Sequence, residues 1–196
     1  MRPIFTIHAG EYLFGKKLKN MRPNADLWLP VKDKGIDFLL TDPDFKKPVG
    51  VQVKMSKDYS DVEAKSEYEK ALVAGGWFTF SRKKLEHSNA DVWSLILVPW
   101  QKRETPQYIN LRPHTLLNHL EAIHGRRDSY DLYPSVFRLK GEGPKKTHQK
   151  LCVETRGLRA SQRSDLVSGS LDLGPRDWCQ FLDNWKLLES IGNEVD

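Results

Sequence analysis

The chain is poor in cysteine and lacks any long apolar run. Only Cys152 and Cys179 occur in 196 residues, far apart and in no CxxC spacing. That excludes a disulfide-stapled miniature fold and a paired-thiolate zinc site. With no secretory apolar segment at the start, reduced thiols in a cytoplasmic protein are the default expectation. No uninterrupted apolar stretch approaches the roughly 18 residues needed to span a bilayer, so no membrane partner is expected. HExxH spacing is absent too. His114, His119 and His124 recur every five residues, but such steps rotate by roughly 140° and do not share a helix face. They are expected at the surface or at a helix cap, not around a metal.

What is present is enough for a packed core. Apolar residues make up 39% of the chain and include six Trp and eight Phe, which excludes a disordered polymer. A formal charge of +5 and a pI near 9.1 permit a nucleic-acid partner without requiring one.

Periodicity predicts an amphipathic helix over 8–21, with Tyr12, Leu13, Leu18 and Met21 on its stripe. Strands are expected at 25–31, 35–42 and 49–56, the last two joined by the turn "DPDFKKP", which Asp42 and Asp44 would shape. A helix or helical turn is expected within 61–75, closed by Gly-Gly, and strands at 77–81, 90–100 and in "PQYINLRP". "HTLLNHLEAIHG" reads as a helix stopped by Gly125, and 130–139 as a further strand. "KGEGPKKTHQK" reads as a loop, and the basic, Ser-rich stretch 155–170 as a mobile or partner-ordered segment. The last stretch reads as one helix opened by Pro175, with Trp178, Phe181, Leu182, Trp185 and Leu188 on a stripe. That stripe points to core packing, with a dimer interface as the alternative. The division expected is a core over 1–140, then a basic loop and C-terminal helix over 141–196, packed on the core or at a dimer interface.

Three polar side chains interrupt the strands at 35–57. Asp37 heads one strand, and Gln52 and Lys54 sit one residue apart on the next, where alternation puts both on one face. If the strands pair, the three project toward one spot. Asp37 offers a carboxylate and Gln52 an amide oxygen, which suits Mg²⁺, a cation that keeps several waters. Lys54 could orient or deprotonate water, or neutralise a phosphate. Lys54 also follows two valine alternations, so its strand is expected to be buried around it, where a lysine needs a role or a partner. The plain alternative is a solvated polar face on a two-stranded ribbon. Glu11, inside an otherwise apolar helix and preceded by small residues, weighs against it.

Together "AGEYLFGKKL", "GIDFLLTD" and "VGVQVKMS" resemble the PD-(D/E)XK nuclease superfamily, near its Holliday-junction-resolvase and Mrr-like branches. The resemblance covers about residues 7–57 closely and "WFTFSRKKLEHSNADVWSLILVP" more loosely; the C-terminal third is not placed. It implies an α/β fold: an αβββαβ restriction-endonuclease-like core with a mixed central sheet, here carrying a C-terminal α-helical extension. It also implies DNA phosphodiester hydrolysis dependent on Mg²⁺ (or Mn²⁺), and often a homodimer. By matched position Asp37 is the principal metal ligand, Gln52 takes the second acidic position, Glu11 assists, and Lys54 is the catalytic lysine. Glutamine in place of an acid removes a negative charge. Some members resembling this branch carry it as nucleases, yet a non-catalytic DNA-binding descendant is a rival.

Further nucleic-acid contacts are expected from Lys34, Ser56 and Lys57 beside the site. Others are expected from the basic groups at 82–84 and 126–127, and from Arg156, Arg159 and Arg163. Asp91 is expected to serve the start of the most apolar strand, and His8 to be structural.

Overall fold

A computed structural model describes residues 8–31, 34–41, 48–58, 65–99, 104–139 and 149–193. The expected turn at 42–47 and most of the expected loop at 140–150 lie outside those residues.

Helix α1, Ala9–Met21, opens the chain. Its buried positions are Gly10, Phe14 and Leu18, spaced four apart on one face. Tyr12 and Met21, expected on the stripe, are 61% and 48% exposed. Strands β1 (Asp26–Trp28), β2 (Phe38–Thr41) and β3 (Val49–Asp58) form an antiparallel meander. A long crossover then leads to β6 (Val92–Pro99), which lies parallel to β3, and β7 (Gln107–Leu111) returns antiparallel. The central sheet therefore has the order β1-β2-β3-β6-β7 and is mixed, in an α/β fold.

Of the helix or helical turn expected here, the described residues carry the turn. Helix α2 spans only Glu67–Ala71, and Leu72–Gly75 forms strand β4 instead. Burial of Val73 and Ala74 against a distant partner strand outweighs the local helix preference. Strand β5 (Phe78–Ser81) and the short helix α3 (Arg82–Glu86) complete the crossover. Helix α4, Pro113–His124, ends at Gly125, whose φ of 72° suits a residue without Cβ. The expected strand at 130–139 is two: β8 (Ser129–Leu132) pairs with β5, and β9 (Pro134–Leu139) pairs with β4. Strand β10, Gln149–Glu154, joins the other side of β9, so residues beyond 148 contribute to a sheet of the same fold.

Two apolar layers cover the central sheet. Phe14 and Leu18 pack with Val51, Val53, Ile96, Trp185 and Leu188 on one face. Trp93, Leu95 and Leu97 pack with α4, β5, β8, Trp178 and Phe181 on the other. Residues 92–97 are all buried, as a strand covered on both faces requires.

The C-terminal part departs most from expectation. The basic stretch is ordered as helix α5, Ala160–Ser168, with Leu166 buried in a third apolar cluster. Its first turn is closed by Arg159 N–H donating to Gln162 Oε1 at 3.0 Å. The single long helix does not form. Short 3-10 turns at Gly174–Arg176 and Cys179–Phe181 precede α6, Lys186–Asn193. Trp178 N–H donates to the Cys152 carbonyl and Asp183 N–H to the Tyr108 carbonyl, at 2.9 and 2.7 Å. Those bonds draw the backbone onto β10 and β7 and displace the intrahelical ladder. Asp183 takes a φ of 51° at the bend. The aromatic residues are core, as expected, but they serve opposite faces of the sheet.

Candidate functional site

The site lies where β2 and β3 part. Their pairing runs from Leu40–Val49 to Phe38–Val51 and closes with Asp37 N–H donating to the Val51 carbonyl at 2.8 Å. Beyond Val51 the chain of β2 turns away through Gly35, whose φ of 79° permits the reversal. Val53 N–H would then lack a ladder partner on that edge. The Asp37 carboxylate replaces it: Oδ2 accepts from Val53 N–H at 2.6 Å and from Gln52 Nε2 at 2.5 Å. The loop before Asp37 is held from across the sheet, because Asn89 Nδ2 donates to the Lys34 carbonyl at 2.8 Å.

Glu11 reaches this fork because Gly10 lets α1 approach β3. A Cβ built on Gly10 would stand 2.9 Å from Met55 Cβ and 3.5 Å from Val53 Cγ1. One Glu11 oxygen accepts from His8 N–H at 3.1 Å, which gives this acid a helix-capping role as well.

A cleft of about 1210 Å³ opens at the fork, lined by Glu11, Asp37, Gln52 and Lys54 together. The four residues singled out from sequence thus share one concavity. Gln52 is buried at 7% exposure, and the strand is buried around it, but Lys54 itself is exposed. Lys54 thus stands in the cleft without the cost of burial. The opposite wall comes from β5, α3 and the turn after it: Thr79, Ser81, Lys83, Lys84, His87 and Asn89. Lys34, Lys54, Lys83 and Lys84 outnumber the two carboxylates, so the cleft favours anions.

The remaining expected contacts lie elsewhere. Ser56 Oγ accepts from Trp77 N–H at 2.9 Å, a structural anchor for the start of β5. Ser56 and Lys57 are not among the lining residues of the cleft. Arg156 pairs with Asp131 at 3.0 Å, Arg163 stands 5.6 Å from the Tyr68 ring centroid, and Arg159 precedes α5; none lines the cleft. Of the basic group 82–84, Arg82 is bound to Glu86 and Glu121, leaving Lys83 and Lys84 for the cleft. Asp91 Oδ2 accepts from Gly50 N–H at 2.7 Å and ties the starts of β3 and β6 together. His119 Nδ1–H donates to the Pro175 carbonyl at 2.8 Å, and its ring packs edge-on to Trp178 and Phe181.

Asp37, Gln52 and Glu11 offer oxygen atoms to a ligand: Asp37 Oδ1, Gln52 Oε1 and Glu11 Oε1. Such hard donors fit Mg²⁺ or Mn²⁺ rather than a thiophilic metal. Among the described residues, no group of three or more His, Cys, Asp or Glu side chains is arranged to hold a metal. Among the described residues, no helix is long and apolar enough to cross a membrane.

No protein-family model matches the chain, and neither a curated protein nor a solved structure matches it.

Proposed function

We propose that the chain is a Mg²⁺-dependent endonuclease that hydrolyses DNA phosphodiester bonds in the cleft at the β2–β3 fork. One observation carries this reading: Asp37 leaves the sheet edge to bind Gln52 and the Val53 backbone, in a cleft also lined by Glu11 and Lys54. Asp37, Gln52 and Glu11 would hold the cation, which supplies charge neutralisation and a more acidic water when bound. Lys54 would orient the water and offset charge on the phosphate. Lys34, Lys83 and Lys84 would hold the flanking phosphates. In the reaction a water oxygen bonds to phosphorus, the ester P–O bond breaks, and the departing oxygen takes up a proton. Two copies related by a two-fold axis could cut two strands, and sedimentation with and without DNA measures that pairing.

The test is incubation of the purified chain with linear, supercoiled, single-stranded and branched DNA in Mg²⁺ or Mn²⁺. Cleavage of at least one form is expected, lost in chelator and lost in Lys54→Ala. Intact DNA throughout, or cleavage that survives Lys54→Ala, overturns the reading.

A second reading has its own observation. Asp37 Oδ2 is satisfied within the protein, and Glu11 caps its helix, so both acids have structural work without a cation. On that reading the fold is a DNA-binding module without cleavage, and its binding falls with salt but ignores divalent ions.

A further inference from the structure

Two large rings stand in solvent beside the cleft. Trp77 is 61% and Tyr133 40% exposed, and their rings lie 11° from parallel with centroids 6.4 Å apart. The Arg156 guanidinium sits 5.5 Å from the Tyr133 ring centroid. Isolated exposed aromatics need no explanation, but two near-parallel rings with a cation beside them present polarisable π-faces.

The backbone under these rings is fixed. Trp77 N–H donates to Ser56 Oγ at 2.9 Å, and Gly76 N–H to the Pro134 carbonyl at 3.0 Å. Tyr133 N–H donates to Glu154 Oε2 at 2.8 Å, and its carbonyl accepts from Thr155 Oγ1 at 2.8 Å. A ligand that stacks on a surface held this way loses little to ordering it.

The rings adjoin the cleft wall through the pairing of β5 with β8. Phe78 and Phe80 turn inward, so alternation puts Trp77 and Thr79 on the outer face, and Thr79 lines the cleft. Thr79 Oγ1 donates to Asp131 Oδ1 at 2.7 Å, and Asp131 Oδ2 pairs with Arg156 Nη1 at 3.0 Å. A bonded row thus runs from the cleft wall to the cation over Tyr133.

We infer that Trp77 and Tyr133 form a stacking platform for an unpaired nucleobase, so that the cleft takes single-stranded or frayed nucleic acid in preference to uninterrupted duplex. The inference rests on the nucleic-acid reading of the cleft, whose excess of lysine supplies the charge complement to a phosphate chain. A stacked base requires an exposed π-face, which a base inside a duplex does not present.

The experiment is fluorescence anisotropy of the full chain with three probes: a short oligothymidylate, an abasic strand with the same number of phosphates, and a blunt duplex. Wild type is expected to hold the oligothymidylate about tenfold more tightly than the abasic strand. Trp77→Ala is expected to erase that difference, and Trp77→Phe to keep most of it. Equal wild-type affinity for the two strands, or a difference that survives Trp77→Ala, overturns the platform. Lys83→Ala with Lys84→Ala separates the two readings. If it weakens both strands while Trp77→Ala changes neither, the platform fails and the cleft stands. If it changes neither while Trp77→Ala erases base dependence, the platform stands and the cleft reading fails. Absence of binding to all three probes overturns both.

Discussion

The carboxylate of Asp37 and the side-chain amide of Gln52 are hydrogen-bonded at 2.5 Å, with Gln52 Nε2 as donor. Glutamine thus satisfies an acid that a second carboxylate at 52 would repel. The residue that departs from the nuclease pattern stabilises the fork in the absence of a cation.

Gln52→Glu reverses that balance. Loss of the donor and the approach of two carboxylates should cost about 1–3 kcal/mol in chelator. Added Mg²⁺ or Mn²⁺ should recover the loss, because a ligand bound only by the folded state raises its stability. Thermal unfolding with chelator and with each ion measures both steps. A variant that stays destabilised in millimolar metal would show that these oxygens do not hold a cation.

Gly10→Ala should destabilise the chain even though alanine favours helix by about 1 kcal/mol over glycine. The new Cβ would stand 2.9 Å from Met55 Cβ, so α1 must back away from β3. Overpacking of this kind costs about 1–3 kcal/mol. Gly15→Ala is the control, since its Cβ meets only the end of the Leu27 side chain at 3.3 Å. Urea unfolding should therefore separate two substitutions that helix propensity alone ranks equally.

The two thiols should react slowly in the native protein. Burial pushes the Cys179 thiol up to about 11, and Cys152, fully buried, is also raised by burial. At about pH 8 both remain protonated, and the thiolate is the reactive form. An aromatic disulfide reagent should modify buried Cys152 only as fast as the chain opens and half-buried Cys179 slowly, and both at once in denaturant. The unfolded chain gives up these protons first, so stability should fall as pH rises from the ordinary 9.0 toward about 11.

Asp131 should titrate below the ordinary 3.8, chiefly because the Thr79 hydroxyl donates to it, with Arg156 adding to the effect. A lowered folded-state value contributes stability above the ordinary one, and that contribution is lost as pH falls through the folded value. The Asp131 carboxyl carbon followed by NMR should show this low midpoint, and Thr79→Val should move it upward. An unchanged midpoint in the variant would remove the Thr79 link between cleft wall and Arg156.

The helix carrying Glu11 and the strand pair carrying Asp37, Gln52 and Lys54 were legible in the amino-acid order. Their signals are local: apolar periodicity, and two strands joined by a short turn that brings alternate residues to one edge. The wall that faces them was not. Lys83 and Lys84 stood out only as basic residues, and β5 is placed by pairing such as Thr79 with Asp131, far along the chain. Strand β4 was hidden for the same reason, since its partners include Phe137. At the C-terminus, the spacing of Trp178, Phe181 and Trp185 announced burial and implied one helix. Tertiary structure instead sends Trp178 and Phe181 to one face of the sheet and Trp185 to the other. Periodicity records how much apolar surface must leave water. Which surface receives it, and which carbonyl captures a free N–H on the way, is decided only when distant segments meet.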